Sequence, residues 1–291
     1  MAKKVIYDCD NTMGVFDCDV DDGLALIYLL GKERIELCGI TTTYGNSDID
    51  TVYKNTDLML RELGRTDIPL LRGCPGKGHL QSEAAEYLVQ TAKAHKGDIS
   101  ILATGSLTNL YSACQLDRDF FDYTAEIVLM GGITEELTIN GRILDELNFS
   151  CDPAAADCVL RSGKASSITG NNCLKAYFTV NEFRQRLEGN SRPIARYIFD
   201  KCFYWFENMT RRFNIDGFYN WDVVAAAYLA EPGLFKDNPQ YLTSGPQQLK
   251  SGILNFGGKE ARRAIVNLPE IDDPVLFAED VYKSWLEVKI R

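Results

Sequence analysis

Six aspartates lie within fifteen residues near the start of the chain, and their spacing is the strongest chemical signal in the sequence. They are Asp8, Asp10, Asp17, Asp19, Asp21 and Asp22. Carboxylates this close repel one another and raise one another's pKa unless a positive charge lies among them. A divalent cation that the carboxylate oxygens bind usually offsets this repulsion. The cluster therefore predicts a cation site, with a solvated acidic loop as the alternative.

An EF-hand is one way in which aspartates at this density bind a cation, and the sequence excludes it. A loop that starts at Asp17 has Asp22 where the EF-hand requires glycine, and Tyr28 where it requires a bidentate glutamate.

A phosphatase of the haloacid-dehalogenase type is a second possibility. The segment Asp8–Thr12 follows an apolar run and looks like the D-x-D-x-T motif of those enzymes, in which Asp8 would attack phosphorus and Asp10 would act as the acid and base beside magnesium. However, the acidic pair Asp21 and Asp22 follows almost at once, and the sequence has no later G-D-x-x-x-D segment. This reading stays open as an alternative.

Composition limits the remaining classes of function. The 291 residues are 45% hydrophobic and 25% charged, as in ordinary globular proteins. The net charge of −10 has the wrong sign for binding phosphate backbones, so we expect no nucleic-acid partner. No apolar stretch approaches the length of a membrane span, so we expect no membrane partner.

The cysteines and histidines also narrow the chemistry. Nine scattered cysteines without a C-x-x-C pair fit neither a disulfide framework nor a zinc ribbon, which predicts a reduced, cytoplasmic compartment. With only His79 and His95, there are few ways to build a histidine-based zinc site or a Ser-His-Asp triad. Carboxylate chemistry is therefore the default expectation.

Short apolar runs alternate with amphipathic stretches along the chain. The pairs are Val5–Tyr7 with Leu24–Leu30, Leu37–Thr43 with Tyr53–Leu63, Ile101–Ala103 with Leu107–Cys114, and Ile127–Met130 with Pro153–Leu160. Strand followed by helix, repeated, predicts an α/β fold with a doubly wound, mostly parallel sheet and flanking helices, which we place in one domain over 1–291. Ligands of such sheets bind beyond the carboxyl ends of the strands, where this chain has polar residues.

Taken with four later segments, the acidic cluster resembles the calcium-dependent nucleoside hydrolases. The later segments are Thr41–Asn46, Thr104–Asn109, Met130–Asn148 and Trp221–Asp222, in the family's order. The resemblance extends to about Phe235 and implies the Rossmann-like fold of that family.

The first family motif, D-x-D-P-G-x-D-D, resembles this chain only at its two ends. Asp8–Asp10 matches one end and Asp21–Leu26 the other, but ten residues, Asn11–Val20, replace a much shorter link. The catalytic base is therefore either Asp10 or an aspartate of the longer loop, Asp17 or Asp19. We favour Asp10, because the strand at Val5–Tyr7 would hold it in place.

The resemblance implies a role for each matched residue. The implied Ca²⁺ ligands are Asp10, Asp22, the main-chain carbonyl of Thr104, and Asp222. The implied substrate-binding residues are Asp21, Asn46, Asn140, Glu146, Asn148 and Trp221. Asp10 would take the proton of the attacking water.

Trp221 stands where many members of the family have a histidine near the leaving base. Members with tryptophan there resemble the purine-specific branch, in which the indole stacks on the base, so Trp221 is also implied in catalysis. Tyr219 and Phe218 would add to the wall of the base site. The alternative is that Trp221 is a core residue at the start of a helix.

The implied function is hydrolysis of the N-glycosidic bond of ribonucleosides, with purine ribonucleosides favoured, to free base and ribose. A role in purine salvage and a homodimer or homotetramer are also implied. A nucleoside- or ribose-binding protein that has lost catalysis is the alternative from a different class.

Overall fold

The computed structural model describes residues 2–261 and 264–290. The predicted single domain over 1–291 includes four residues that lie outside the described ones, namely Met1, Arg262, Arg263 and Arg291.

The described strands follow one another along the chain as β1 to β14. They are β1 Lys3–Cys9, β2 Ile35–Thr42, β3 Leu70–Leu71, β4 Ile99–Ala103, β5 Thr124–Met130, β6 Thr138–Ile139, β7 Arg142–Ile143, β8 Ala165–Ile168, β9 Tyr177–Thr179, β10 Gly217–Tyr219, β11 Phe235–Lys236, β12 Pro239–Leu242, β13 Ala264–Asn267 and β14 Glu270–Ile271.

The described α-helices are numbered in the same way. They are α1 Asp21–Leu30, α2 Ile49–Glu62, α3 Glu83–Ala94, α4 Thr108–Leu116, α5 Phe120–Tyr123, α6 Asn148–Cys151, α7 Pro153–Leu160, α8 Gly170–Cys173, α9 Val180–Leu187, α10 Pro193–Phe213, α11 Trp221–Ala230 and α12 Pro274–Glu287. None of the helices in 2–261 and 264–290 combines the length and the apolar character needed to cross a membrane.

Eight strands form the central sheet, in the order β12-β13-β8-β5-β4-β1-β2-β3. All neighbours are parallel except the pair β12 and β13. The predicted doubly wound, mostly parallel α/β sheet with flanking helices is therefore confirmed.

Side chains alternate between the two faces of the sheet, and each face has its own core. On β1, Val5 and Tyr7 belong to one buried cluster and Ile6 to the other. The first cluster includes the buried faces of α1, α10, α11 and α12, and the second includes those of α3, α4 and α7. Helices thus cover both faces, which explains why the strands read as continuous apolar runs.

The register of the central strands brings their polar ends together. Asp8 of β1 pairs with Thr41 of β2 on one side and with Ala103 of β4 on the other. The residues that follow these strands therefore leave the sheet side by side, along one edge.

Candidate functional site

The acidic cluster lies where the strand order of the sheet reverses. From β1 the chain builds outward through β2 and β3, and then returns to place β4 on the other side of β1. A crevice opens at such a switch point, beyond the carboxyl ends of the strands. Asp10 follows β1 here, and Thr104 follows β4.

Asp10 is fully buried beneath the crevice. Its Oδ2 accepts a hydrogen bond from the backbone N–H of Asn46 at 2.5 Å, whereas its Oδ1 has no hydrogen-bond partner. Two glycines leave space for this carboxylate, because a Cβ at Gly45 would lie 2.1 Å from Oδ2 and one at Gly105 would lie 2.9 Å from Oδ1. The backbone closes around Asp10 and leaves one oxygen ready for a ligand.

Three further carboxylates gather beside it from two helices. Asp21 and Asp22 open α1, Asp222 lies in the first turn of α11, and oxygen atoms of the three side chains lie within 4.8 Å of one another. All three residues are buried. The backbone N–H of Asp222 donates to Asp21 Oδ2 at 3.2 Å. This arrangement can hold a metal ion.

Neutral donors orient Asp22 within the group. Thr104 Oγ1 donates to Asp22 Oδ1 at 2.7 Å, and Asn46 Nδ2 donates to Asp22 Oδ2 at 3.2 Å. The hydroxyl of Tyr7 donates to the backbone carbonyl of Asp22 at 3.0 Å. These bonds fix the carboxylate without supplying a positive charge.

The pKa values of the four buried aspartates are raised, because the carboxylates are crowded together and shielded from water. Burial raises the pKa of Asp10 to about 7. Burial, followed by the charge of Asp22, raises the pKa of Asp21 to about 7. Burial and neighbouring carboxylates raise the pKa of Asp22 and Asp222 well above the ordinary range. A bound cation would offset this repulsion and allow the carboxylates to ionise.

Asp8 supports the site from below. Its Oδ1 accepts hydrogen bonds from Thr41 Oγ1 at 2.5 Å and from Asn109 Nδ2 at 2.8 Å. Asn109 Nδ2 also donates to the carbonyl of Thr42 at 2.8 Å. Asp8 thereby ties together the ends of β1 and β2 and the start of α4.

A cavity of about 430 Å³ lies above the carboxylates. Seven of the residues to which the sequence resemblance assigns a role line this cavity. They are Asp21, Asn46, Thr104, Glu146, Asn148, Trp221 and Asp222. Asp10 and Asp22 lie just beneath this lining and contact it through Asn46 and Thr104. The structure therefore brings together the predicted metal-binding and sugar-binding residues, apart from Asn140.

Asn148 reaches the site from the start of α6. Its Nδ2 donates to the carbonyl of Thr104 and to the carbonyl of Met130, both at 2.9 Å. Since the amide nitrogen is used in this way, the amide oxygen is the atom left to meet a ligand. Asn148 also contacts the predicted metal-binding carbonyl directly.

Glu146 lines the cavity, but backbone amides take up both of its carboxylate oxygens. Oε1 accepts from the N–H groups of Gly132 at 3.1 Å and Phe149 at 2.8 Å, and Oε2 accepts from that of Ser150 at 2.9 Å. Burial raises the pKa of Glu146, and these donors oppose the shift. Glu146 holds the start of α6 in place, and its contact with sugar stays a prediction.

Asn140 is the one predicted substrate-binding residue that does not line the cavity. It is exposed, with φ of 49°, in the turn between β6 and β7, and its Nδ2 donates to the carbonyl of Phe213 at 3.0 Å. It thus attaches this hairpin to the end of α10. A role for Asn140 in sugar binding stays a prediction.

Trp221 lines the cavity at the start of α11 and is half-buried. Its ring lies 5.1 Å from that of Tyr219, with the two planes at 37°. Phe218, which we expected at the base site, is instead fully buried between the rings of Phe206 and Phe183. It belongs to the core because successive residues of β10 point to opposite sides of the strand.

The structure adds residues to the cavity that the sequence did not single out. The end of α10 supplies Trp205, Met209, Arg212 and Phe213, and the longer loop supplies Cys18. Asp17 and Asp19, the loop aspartates that the sequence offered as alternatives to Asp10, also line the cavity. The i, i+4, i+8 spacing of Trp205, Met209 and Phe213 was a readable signal of one helix face. Nothing in the sequence indicated which cavity that face would line.

Comparisons with known proteins agree with this geometry. The sequence model of the family described as inosine-uridine preferring nucleoside hydrolase matches residues 5–266. Probable uridine nucleosidase 2 of Arabidopsis thaliana is 28% identical, over 80% of this chain and 79% of that protein. The inosine-uridine preferring nucleoside hydrolase of Crithidia fasciculata is 26% identical, over 80% of this chain and 81% of that protein.

Solved structures share the fold over nearly the whole chain. A plant nucleoside hydrolase superimposes with a TM-score of 0.86 at 21% identity, covering 98% of this chain and 99% of that one. A purine-preferring ribonucleoside hydrolase from Gardnerella vaginalis gives a TM-score of 0.82 at 22% identity, covering 99% and 100%.

The repulsion among the carboxylates predicts opposite effects of Asp222→Asn with and without metal. In chelator-treated protein the substitution should raise the free energy of unfolding by on the order of 1 kcal/mol, because it removes one of the mutually repelling charges. It should also weaken or abolish the increase in melting temperature that a divalent cation gives the wild type. Thermal unfolding with and without Ca²⁺ measures both effects, with Asp145→Asn, in the cavity wall, as the control. Lower stability without metal together with an unchanged response to metal would contradict the metal-site assignment.

Proposed function

The chain belongs to the family of inosine-uridine preferring nucleoside hydrolases and is a nucleoside N-ribohydrolase, and on this premise we propose that it uses Ca²⁺ and favours purine ribonucleosides. The observation that carries the proposal is the group of buried carboxylates directly beneath a cavity of about 430 Å³. The products would be the free base and ribose.

The donor set fits a hard cation. The buried Asp10 Oδ1 has no hydrogen-bond partner, and the neighbouring charges that raise the pKa of Asp222 all belong to carboxylates. Carboxylate and carbonyl oxygens are the ligands that Ca²⁺ prefers. We assign Asp10, Asp22, the Thr104 carbonyl and Asp222 as the residues that would hold it. When bound, the cation supplies Lewis-acid chemistry beside the sugar.

Asp10 is the general base in this proposal. It is buried at the end of β1, one of its oxygens is fixed by Asn46, and the other is without a partner. Asp17, by contrast, is exposed and paired with Arg211. A fixed carboxylate under the cavity is better placed to take the proton of a water that attacks the anomeric carbon.

We assign sugar binding to Asp21, Asn46 and Asn148, which all line the cavity. Asp21 would accept a hydrogen bond from the ribose 2′ or 3′ hydroxyl, and the amide oxygen of Asn148 would accept one from another hydroxyl of the nucleoside. A site built to bind hydroxyls rejects analogues that lack them, because its own polar groups are then left unpaired. Negative charge around the ring would also stabilise the oxocarbenium-like transition state.

The leaving base would meet an aromatic surface. Trp221 and Trp205 both line the cavity, together with Met209 and Phe213. We propose that stacking of a purine on the Trp221 indole favours protonation of the departing base, since no histidine occupies this position. Two relatives from Arabidopsis thaliana are named as uridine nucleosidases, so the assay of base preference includes uridine beside the purine nucleosides.

The phosphatase alternative has less support. Asp8, its nucleophile, is fully buried, and its Oδ1 is held by Thr41 and Asn109. The family model that matches residues 5–266 is that of nucleoside hydrolases, which also weighs against a phosphatase. A homodimer or homotetramer, a cytoplasmic location and a role in purine salvage are further parts of the proposal, and they rest on the family resemblance and on the cysteine pattern.

Base release tests the proposal directly. Purified protein is incubated with inosine, guanosine, adenosine, uridine and 2′-deoxyinosine, and free base and reducing sugar are measured by chromatography. We expect release from the ribonucleosides, fastest for purines. Faster uridine cleavage would reject the purine preference alone. Tight nucleoside binding without release would favour the binding-protein alternative, and phosphate release from phosphomonoesters with magnesium would favour the phosphatase.

Asp10→Asn should lower kcat by about 10²-fold to 10⁴-fold, because the amide cannot take the proton from water. Asp17→Asn should keep most of the wild-type kcat, since Asp17 lies at the exposed turn of the longer loop. Steady-state kinetics with the best ribonucleoside compares the two variants. The reverse pattern would move the catalytic base into the loop.

Trp221→Ala should lower kcat for inosine or guanosine on the order of 10-fold or more, with a smaller rise in KM, because stacking is proposed to act mainly in the transition state. Trp221→Phe, which keeps a smaller ring, should retain intermediate activity. Unchanged kcat in Trp221→Ala would show that the indole only fills space.

A further inference from the structure

The loop between β1 and α1, which we call the inserted loop (Asn11–Val20), forms part of the cavity wall. Asp17, Cys18 and Asp19 of this loop all line the cavity. The loop therefore brings this chain's own side chains to the substrate site. Asp19 is the one that lies next to Asp21.

The inserted loop is fastened at several points on either side of Asp19. Tyr204 Oη donates to the carbonyl of Cys18 at 2.8 Å, and Thr12 Oγ1 donates to the carbonyl of Asp19 at 2.9 Å. Asn55 Nδ2 donates to the carbonyl of Met13 at 3.2 Å. Asp19 is thus held by α10 and by the loop itself, so its position is set before a ligand binds.

The Asp19 carboxylate has hydrogen-bonding capacity left over. Its Oδ1 accepts from the backbone N–H of Val20 at 2.7 Å, and the charge of Asp21 lies close to it. A carboxylate can accept about four hydrogen bonds. Asp19 lies outside the three-carboxylate group of Asp21, Asp22 and Asp222. Asp19 itself lines the cavity, where these lone pairs can meet a ligand.

We propose that Asp19 is a substrate-binding residue that accepts a hydrogen bond from a ribose hydroxyl next to the one held by Asp21. The inference rests on the proposed function, since it places ribose above Asp21. Two carboxylates two residues apart in the chain would then accept hydrogen bonds from neighbouring hydroxyls of one ring. The inserted loop thereby adds to the discrimination between ribose and deoxyribose.

A purely structural role for Asp19 makes a different prediction. Its bond to Val20 N lies just ahead of α1, so loss of the carboxylate would disturb the start of the helix that carries Asp21 and Asp22. Such a disturbance would weaken every substrate equally and would also weaken metal binding. A direct contact would affect only substrates that carry the contacted hydroxyl.

The test compares Asp19→Ala and Asp19→Asn with the wild type on inosine, 2′-deoxyinosine and 3′-deoxyinosine. We expect kcat/KM for inosine to fall by about 10-fold to 100-fold in Asp19→Ala, the usual effect of losing a hydrogen bond to a charged group. For one of the two deoxynucleosides the fall should be less than about 3-fold, because the contacted hydroxyl is already absent. Asp19→Asn should lie between Asp19→Ala and the wild type, since its amide oxygen can still accept. If a deoxynucleoside is turned over too slowly, its inhibition constant replaces kcat/KM.

Two controls separate direct contact from structural effects. Calorimetric titration should give the same Ca²⁺ dissociation constant for Asp19→Ala and wild type, within about 3-fold. Asp122→Asn, which changes an exposed carboxylate outside the cavity lining, should leave the ratio of inosine to deoxynucleoside activity as in the wild type. Equal losses on all three substrates, no loss on inosine, or a large loss of Ca²⁺ affinity would each overturn the proposal.

Failure of the proposed function gives a different result. If the wild type releases no base from any ribonucleoside, the hydrolase proposal fails, and the same comparison is made on the dissociation constants of the three nucleosides. A selective loss of inosine affinity in Asp19→Ala would still support the contact, whereas an equal loss for all three would reject it.

Discussion

Mutual repulsion among buried carboxylates is the constraint on which the rest of this structure depends. Asp10, Asp21, Asp22 and Asp222 meet from one strand end and two helix starts, where burial disfavours their charge. The start of α1 partly compensates, because the positive end of the helix dipole favours carboxylates in the first turn. That effect is too small to neutralise several charges, so a bound cation would be needed to offset the remaining repulsion.

Much of the surrounding fold serves to hold these side chains at the reversal of strand order. The sheet brings the ends of β1, β2 and β4 to one edge, and α1 packs against α11 so that their first turns meet. Hydroxyl and amide donors from Thr104 and Asn46 then fix individual carboxylate oxygens. The donors are neutral, so they orient the carboxylates without reducing the negative charge of the site.

The sequence predicted the elements and the identity of the cluster better than the contacts of single side chains. Buried parallel strands read as apolar runs, and carboxylates directly after such runs can only lie at the sheet edge, so Asp10 could be placed before the structure. Asn140 and Glu146 were less predictable, because their partners are backbone groups distant in sequence or set by local turn geometry. Phe218 was misplaced because the direction of a side chain on a three-residue strand cannot be read from its neighbours. The wall formed by α10 depends on tertiary packing that no local pattern encodes.

The most direct test of this account is a Ca²⁺ titration of chelator-stripped enzyme, followed by calorimetry and by base release in parallel. If the carboxylate group is a cation site that the reaction needs, binding should saturate at one Ca²⁺ per chain, and turnover should rise from near zero in proportion to occupancy. Full turnover in the stripped enzyme, or binding of Ca²⁺ that leaves turnover unchanged, would contradict it.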